Sequence, residues 1–140
     1  MNSLAFAPAN HYHQNSSWKK WLEHLLKNFK NLELREAGLV LHSGLTLSRS
    51  KGFKITNKEL QHIGNCFCDP TIELISLNGI TYCIKVFTPT QLVAFNGARY
   101  VVISKTQSMF IILLCSSPKK SRALSDWLKI AASKIIDPQP

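Results

Sequence analysis

Three tryptophans are the side chains in this sequence whose chemistry is best suited to binding another molecule. Trp18 and Trp21 lie three residues apart near the start of the chain, and Trp127 lies near its end. An indole combines a broad apolar face with one N–H donor, and this combination binds polyproline II helices. We therefore predict a polyproline-binding site at these three residues, with Trp18 the most exposed of them. Their spacing alone favours the alternative, in which the rings simply bury against a sheet.

Basic side chains are concentrated in the same two segments. The sequence holds 17 Lys and Arg against 8 Asp and Glu, a formal net charge of +9. Such an excess favours anionic partners, and cations interleaved with tryptophan suit an anionic membrane surface. The predicted anionic-lipid site consists of Lys19, Lys20, Lys27, Lys120, Arg122 and Lys129. The alternative is a solvated polar face whose charge serves solubility alone.

Patterns typical of enzymes and metal sites are missing from the sequence. The four cysteines do not have metal-ligand spacing, and the eight carboxylates form no obvious pair. Cys66 follows His62 by four residues, a thiol–imidazole spacing that usually reflects helix packing. We predict no enzymatic activity, no metal and no cofactor. The strands also lack the aromatic pattern of RNA-binding sheets, so no nucleic-acid partner is expected.

Two amphipathic helices are predicted to carry the aromatic and basic side chains. The first is capped by Ser17 and has apolar positions at Trp18, Trp21, Leu22, Leu25, Leu26 and Phe29. The last is capped by Ser121 and has apolar positions at Leu124, Trp127, Leu128, Ala131 and Ile135. Between them, Thr56 and Glu59 have the spacing of a capping box, which predicts a short helix ending near Cys68.

The remaining apolar segments have the two-residue period of strands. They cover residues 37–42, 45–49, 72–77, 80–87, 91–95, 98–104 and 108–115. Asn78-Gly79 and Asn96-Gly97 predict tight hairpin turns, and successive hairpins imply an antiparallel sheet. We predict an α+β fold in which the N- and C-terminal helices pack on one face of that sheet and the short helix lies elsewhere. Residues 1–17 are predicted to be a flexible tail, and residues 18–140 one domain.

The order of these elements and several short motifs resemble the profilin family. The matching segments are Trp18-Lys19-Lys20-Trp21, Ala37-Gly38-Leu39-Val40, Gly52-Phe53, Tyr82-Cys83-Ile84, Lys105-Thr106 and Leu124-Ser125-Asp126-Trp127-Leu128. The likeness spans residues 18 to about 135. Profilins are non-catalytic regulators of the actin cytoskeleton, so the resemblance implies a profilin-like sheet and a monomeric protein of the cytoplasm, associated with the cytoskeleton.

The resemblance also implies the partners and their sites. Actin, phosphoinositides and proline-rich proteins are the expected partners, with Lys105, Lys119 and Arg122 facing actin. Residues 116–119, before the last helix, form a shorter loop than in most profilins, which predicts weak actin binding. This shortening resembles the divergent testis-type branch of the family, which is associated with phospholipids and the spermatid cytoskeleton. The alternative interpretation is a roadblock or longin-like adaptor subunit of a trafficking or signalling complex.

Overall fold

A seven-stranded antiparallel sheet is the central layer of the computed structural model, which describes residues 15–133. The helices are α1 (Asn15–Asn28), α2 (Asn57–Cys68) and α3 (Ser121–Ser133), and short 3-10 turns lie at Lys30–Leu32 and Pro118–Lys120. The strands are β1 (Leu34–Leu41), β2 (Thr46–Arg49), β3 (Leu74–Leu77), β4 (Ile80–Thr88), β5 (Gln91–Asn96), β6 (Arg99–Lys105) and β7 (Met109–Cys115). Their spatial order is β2-β1-β7-β6-β5-β4-β3.

The sheet separates two hydrophobic clusters. On one face, which we call the terminal-helix face, side chains of α1 and α3 pack against β1, β2, β5, β6 and β7. On the other, the α2 face, α2 contributes Leu60, Ile63 and Phe67 to a second cluster. Strand β7 is buried along its whole length because both faces are covered there. The predicted α+β fold, with both end helices on one face, is confirmed.

Local chemistry sets the start of α2 and the turn between β3 and β4. Glu59 N donates to Thr56 Oγ1 at 3.0 Å, and Thr56 N donates to Glu59 Oε1 at 3.0 Å, which completes the predicted capping box. The other carboxylate oxygen of Glu59 accepts from Gly79 N at 3.2 Å. Asn78 and Gly79 have φ values of 51° and 77°, as a type I′ turn requires. Glu59 therefore links α2 to the β3–β4 turn.

Several element boundaries differ from the prediction, and strand pairing explains those of the sheet. Helix α1 begins at Asn15 rather than after Ser17, so residues 15–17 of the predicted tail are helical, and residues 1–14 lie outside the described part. Strand β1 begins at Leu34 because Leu34 pairs with Cys115 of β7. The second hairpin turn is Gly97-Ala98 rather than Asn96-Gly97, since Asn96 pairs with Arg99 and only Gly97 has positive φ. The predicted apolar position Ile135 lies outside the described residues.

Candidate functional site

The three predicted tryptophans all pack on the terminal-helix face, but they differ in exposure. Trp18 and Trp21 are 0% and 5% exposed, and their rings meet edge to face with centroids 5.9 Å apart. Trp127 is half-buried against the same cluster, with its ring 4.7 Å from that of Phe29. The prediction that Trp18 is the most exposed is wrong, because its position on α1 points directly at the sheet. Trp127 is the accessible ring of the three.

The indole N–H groups of Trp18 and Trp21 are buried without a hydrogen-bond partner among the described residues. A buried donor left unpaired costs about 1–3 kcal/mol, so native structures rarely keep one without a reason. Two such donors lie here on adjacent turns of one helix. They mark the N-terminal half of α1 as a place where an added acceptor would stabilise the protein.

The six cations predicted to contact lipid are all exposed side chains of the terminal helices or the turn before α3. Lys19, Lys20 and Lys27 belong to α1, Lys120 ends the 3-10 turn before α3, and Arg122 and Lys129 belong to α3. Both helices lie on the terminal-helix face, so the structure places these cations on one side of the sheet. Their arrangement can attract an anionic surface.

The three residues predicted to face actin do not form one surface. Lys119 and Arg122 lie at the start of α3, close to the end of β7. Lys105 lies at the opposite end of the sheet, since it pairs with Phe110 whereas Tyr100 pairs with Cys115. Its Nζ lies 6.0 Å from the ring centroid of Phe67, on the α2 face. Alternation of side chains along β6 explains the difference, because Ser104 and Lys105 point to opposite faces.

The terminal-helix face carries an uncovered apolar surface at its β3–β4 edge. Leu74 and Val86 are each 50% exposed, Cys83 is exposed and Phe95 is half-buried. Pairing places these side chains on one face, because Leu74 is opposite Cys83, Cys83 opposite Phe95, and Val86 opposite the buried Val93. The cluster beneath α1 and α3 contains no residue of β3 or β4. We call Leu74, Cys83, Val86 and Phe95 the open sheet surface.

A buried glutamine joins α3 to strands β5 and β6. Gln91, at the start of β5, is 6% exposed, and its Nε2 donates to Ser104 Oγ at 3.0 Å and to the Ser125 carbonyl at 3.1 Å. Because one amide joins two strands to the middle of α3, it sets how far the helix extends over the sheet. The amide of Gln91 thus fixes the position of α3 on β5 and β6.

The Cys66–His62 pair does not provide a nucleophile. His62 Nε2 lies 2.9 Å from the Leu74 carbonyl, which occupies its ring nitrogen. Burial, reinforced by Asp69, raises the pKa of the Cys66 thiol above its usual value, so the thiol stays protonated. Among residues 15–133, no three His, Cys, Asp or Glu side chains are grouped so that they could hold a metal ion. No helix in this range is long and apolar enough to cross a bilayer.

Comparison with known protein families identifies the fold. The sequence model of the family Profilin matches residues 16–137, which is nearly the whole chain. The chain belongs to the profilin family. A comparison with curated proteins finds no significant match. The family resemblance proposed from the sequence is therefore confirmed, while the testis-type branch is not confirmed.

Solved profilin structures match the chain along most of its length. Profilin II of Acanthamoeba castellanii superposes with a TM-score of 0.68 at 20% identity, covering 81% of this chain and 93% of its own. Profilin of Schizosaccharomyces pombe gives a TM-score of 0.66 at 20% identity, covering 80% and 96%. LokiProfilin1, solved in complex with rabbit actin, gives 0.62 at 17% identity, covering 83% and 97%. At these identities the matches show the profilin fold.

Sequence reasoning did not find the open sheet surface of this profilin. Leu74 and Val86 lie in segments whose alternation is that of any half-buried strand. Their exposure depends on how far α1 and α3 reach across the sheet, which the sequence of β3 and β4 does not contain. A weak signal is present in Thr81 and Lys85, which place polar residues within β4, whereas β7 is apolar along its whole length.

Proposed function

We propose that this profilin binds actin monomers through the open sheet surface, together with the cations near the start of α3. The single observation that carries the proposal is an uncovered apolar patch on a sheet whose other strands are buried on the same face. Exposed apolar patches of this kind, rimmed by polar side chains, are typical of protein interfaces. Family membership and the existence of a related profilin in complex with actin support actin as the partner.

Lys119 and Arg122 add positive charge to one end of this interface. Both are exposed at the start of α3, where they would contact an acidic partner surface and raise the association rate. Only five residues, 116–120, separate β7 from α3, so little loop extends toward a partner. We therefore expect the interface to be small and the affinity for actin to be low. Lys105 takes no part in it.

A polymerisation assay with pyrene-labelled actin tests this proposal. We expect the wild-type chain to slow polymerisation in proportion to its concentration, with half-maximal effect well above stoichiometric amounts. Val86→Asp should weaken binding at least ten-fold, about 1.4 kcal/mol, because it places a charge in an apolar interface. The matched control is Leu45→Asp, because Leu45 is similarly exposed. Leu45 lies beside β2, which is five strand spacings, or roughly 24 Å, from β4. Equal activity of the two variants would rule out the open sheet surface.

A second candidate function, binding to anionic phosphoinositide membranes, is favoured by the six exposed cations of the terminal helices. Each Lys or Arg close to an anionic membrane contributes about 1 kcal/mol, so even part of this set suffices for reversible attachment. We place this function with the testis-type branch and its role in spermatogenesis, which we propose from the shortened loop before α3. Binding to phosphoinositide vesicles should decrease steeply with salt.

Proline-rich segments are proposed to bind at the contact between α1 and α3. Trp127 offers an accessible ring there, with its centroid 4.7 Å from that of Phe29, on which a proline of a polyproline II helix can pack. Trp127 is the ring that a ligand reaches without rearrangement of α1. Titration with poly-L-proline should change tryptophan emission in the wild type and not in Trp127→Leu. Unchanged wild-type emission at saturating peptide would exclude this site.

A further inference from the structure

A cleft lies on the α2 face of the sheet, opposite the face covered by α1 and α3. It has a volume of about 390 Å3 and opens where β1 and β6 begin, β7 ends and β3 turns into β4. Polar side chains form its rim and apolar ones part of its wall. The lining side chains that enter the argument are Arg35, Glu36, Tyr82, Arg99 and Ser116.

Arg35 is presented to this cleft by a break in strand pairing. Leu34 pairs with Cys115 and Glu36 with Leu114, so Arg35 is the extra residue of a β-bulge and has no partner in β7. Its Nε donates to Ser116 Oγ at 3.1 Å, which holds the guanidinium by one edge. The two terminal NH2 groups have no acceptor among the described residues. A guanidinium group held in this way can bind an anion with both of its terminal NH2 groups.

Arg99 and Tyr82 supply donors from the other side of the cleft. Arg99 begins β6 and, by alternation with the buried Val101 and Ile103, points to the α2 face. Tyr82 is 3% exposed and lines the cleft, yet its hydroxyl makes no hydrogen bond to any residue in the described part of the chain. Burial raises the pKa of Tyr82, partly opposed by Arg99, so the phenol stays protonated and can donate.

Among the described residues that line the cleft, Glu36 is the one carboxylate, and it limits the positive charge of the cleft. It packs against Gly52, where a Cβ would collide with the carboxylate, so the side chain is held toward the β2–α2 connection. The two arginines and Glu36 together give a formal charge of +1. The cleft thus favours an anion, while Glu36 disfavours ligands that place negative charge near Gly52.

We propose that this cleft binds a phosphomonoester, with the phosphoryl group between the guanidinium groups of Arg35 and Arg99 and in reach of the Tyr82 hydroxyl. A tetrahedral dianion offers three terminal oxygens, enough to accept from both arginine forks and the phenol at once. The organic part of the ligand packs on the apolar wall formed by Leu77, Ile80 and Leu114. The cleft is large enough for a small organic phosphate or a single lipid headgroup.

An NMR titration of the full chain with phenyl phosphate tests the proposal, with sodium chloride at matched ionic strength as the reference. We expect amide shifts confined to the start of β1, the β3–β4 turn, the start of β6 and the end of β7. Arg35→Gln and Arg99→Gln should each raise the Kd about ten-fold or more, and Tyr82→Phe several-fold. Glu36→Gln should lower the Kd, because it removes the repulsive charge.

Lys58→Gln is the matched control, since it removes one positive charge from an exposed position of α2 outside this cleft. Thermal unfolding of each variant checks that the fold is retained. Shifts centred on the lysines of α1 and α3, or an equal loss of affinity in the control and the arginine variants, would overturn the proposal. So would a Kd for Glu36→Gln unchanged or higher than that of the wild type.

The source of the phosphomonoester is distinguished by vesicle binding. Vesicles that contain phosphatidic acid present the group on a lipid, and phosphatidylserine vesicles carry charge without it. If Arg35→Gln and Arg99→Gln lose preference for phosphatidic acid over phosphatidylserine, the ligand is a headgroup. If these variants lose phenyl phosphate only, the cleft takes a soluble phosphate ester. Retention of both activities in both variants would contradict the site.

Discussion

Burial divides the four cysteines into two reactive and two unreactive thiols. Cys68 and Cys83 are exposed, whereas Cys66 and Cys115 are buried. Burial raises the pKa of Cys115 to about 12 and also raises that of Cys66, so neither forms thiolate near neutral pH. At pH 8 we expect two thiols of the native chain to react rapidly with Ellman's reagent and four to react in denaturant. Cys83→Ser should leave one rapid thiol, and a Cys115→Ser variant should leave two.

The same burial predicts lower stability in alkaline solution. The thiol of Cys115 has an ordinary pKa of 9.0 in the unfolded chain and about 12 when folded, so the unfolded state loses its proton first. The stability from this group is complete below pH 9 and decreases as pH rises toward 12, with a slope of at most about 1.4 kcal/mol per pH unit. Urea denaturation at pH 8, 9 and 10 measures the slope. In Cys115→Ala the decrease should be smaller, and an equal decrease would contradict the assignment.

Among the elements, α3 depends on one side chain for its attachment to β5. Gln91→Ala would remove the amide bonds to the Ser125 carbonyl and to the buried Ser104 hydroxyl, so we expect a loss of about 1–3 kcal/mol in the free energy of unfolding. Urea denaturation measures it. Gln61→Ala, at an exposed position of α2, is the control and should change stability by less than about 0.5 kcal/mol. Equal values for the two variants would show that the amide contacts do not fix α3.

Elements that depend on neighbouring residues were predicted well from the sequence. The capping box of Thr56 and Glu59 and the turn at Asn78-Gly79 require only local chemistry, and both occur as expected. Features that depend on how much of the sheet α1 and α3 cover were not predictable from the sequence. Trp18 is buried because α1 presses it against the sheet, and Val86 is exposed because α3 stops short of β4. The separation of Lys105 from Lys119 and Arg122 was not predictable for a third reason, since the face on which Lys105 lies depends on strand register.

For the whole molecule, charge on the two sides of the sheet can be compared directly. Replacing Lys19, Lys20 and Lys27 by Gln removes three charges from α1, on the terminal-helix face. Replacing Lys51, Lys54 and Lys58 by Gln removes three exposed charges near the start of α2. If the terminal helices bind membranes, co-sedimentation with phosphoinositide vesicles should be lost in the first variant, at about 1 kcal/mol per lysine, and largely kept in the second. Equal losses would indicate attraction by net charge alone.

The molecule as a whole presents three separate surfaces on one small sheet. The open sheet surface and the cationic helices share the terminal-helix face. The cleft between Arg35 and Arg99, here called the arginine cleft, opens on the α2 face. Membrane attachment through α1 and α3 would therefore bring lipid close to the surface proposed for actin. Ligands of the arginine cleft would not compete with either. Substitutions in the open sheet surface or among the cations of α1 and α3 should leave ligand binding in the cleft of Arg35 and Arg99 unchanged.

Protection of one cysteine by actin tests the central claim most directly. Cys83 lies in the open sheet surface, and Cys68 lies at the end of α2 on the other side of the sheet, so each chain carries its own control. The chain would be alkylated with iodoacetamide with and without excess actin monomer, and labelling of each cysteine followed by mass spectrometry of its peptide. We predict that actin slows alkylation of Cys83 several-fold and leaves Cys68 unchanged. Equal rates at Cys83 with and without saturating actin, or protection of Cys68 alone, would contradict the account.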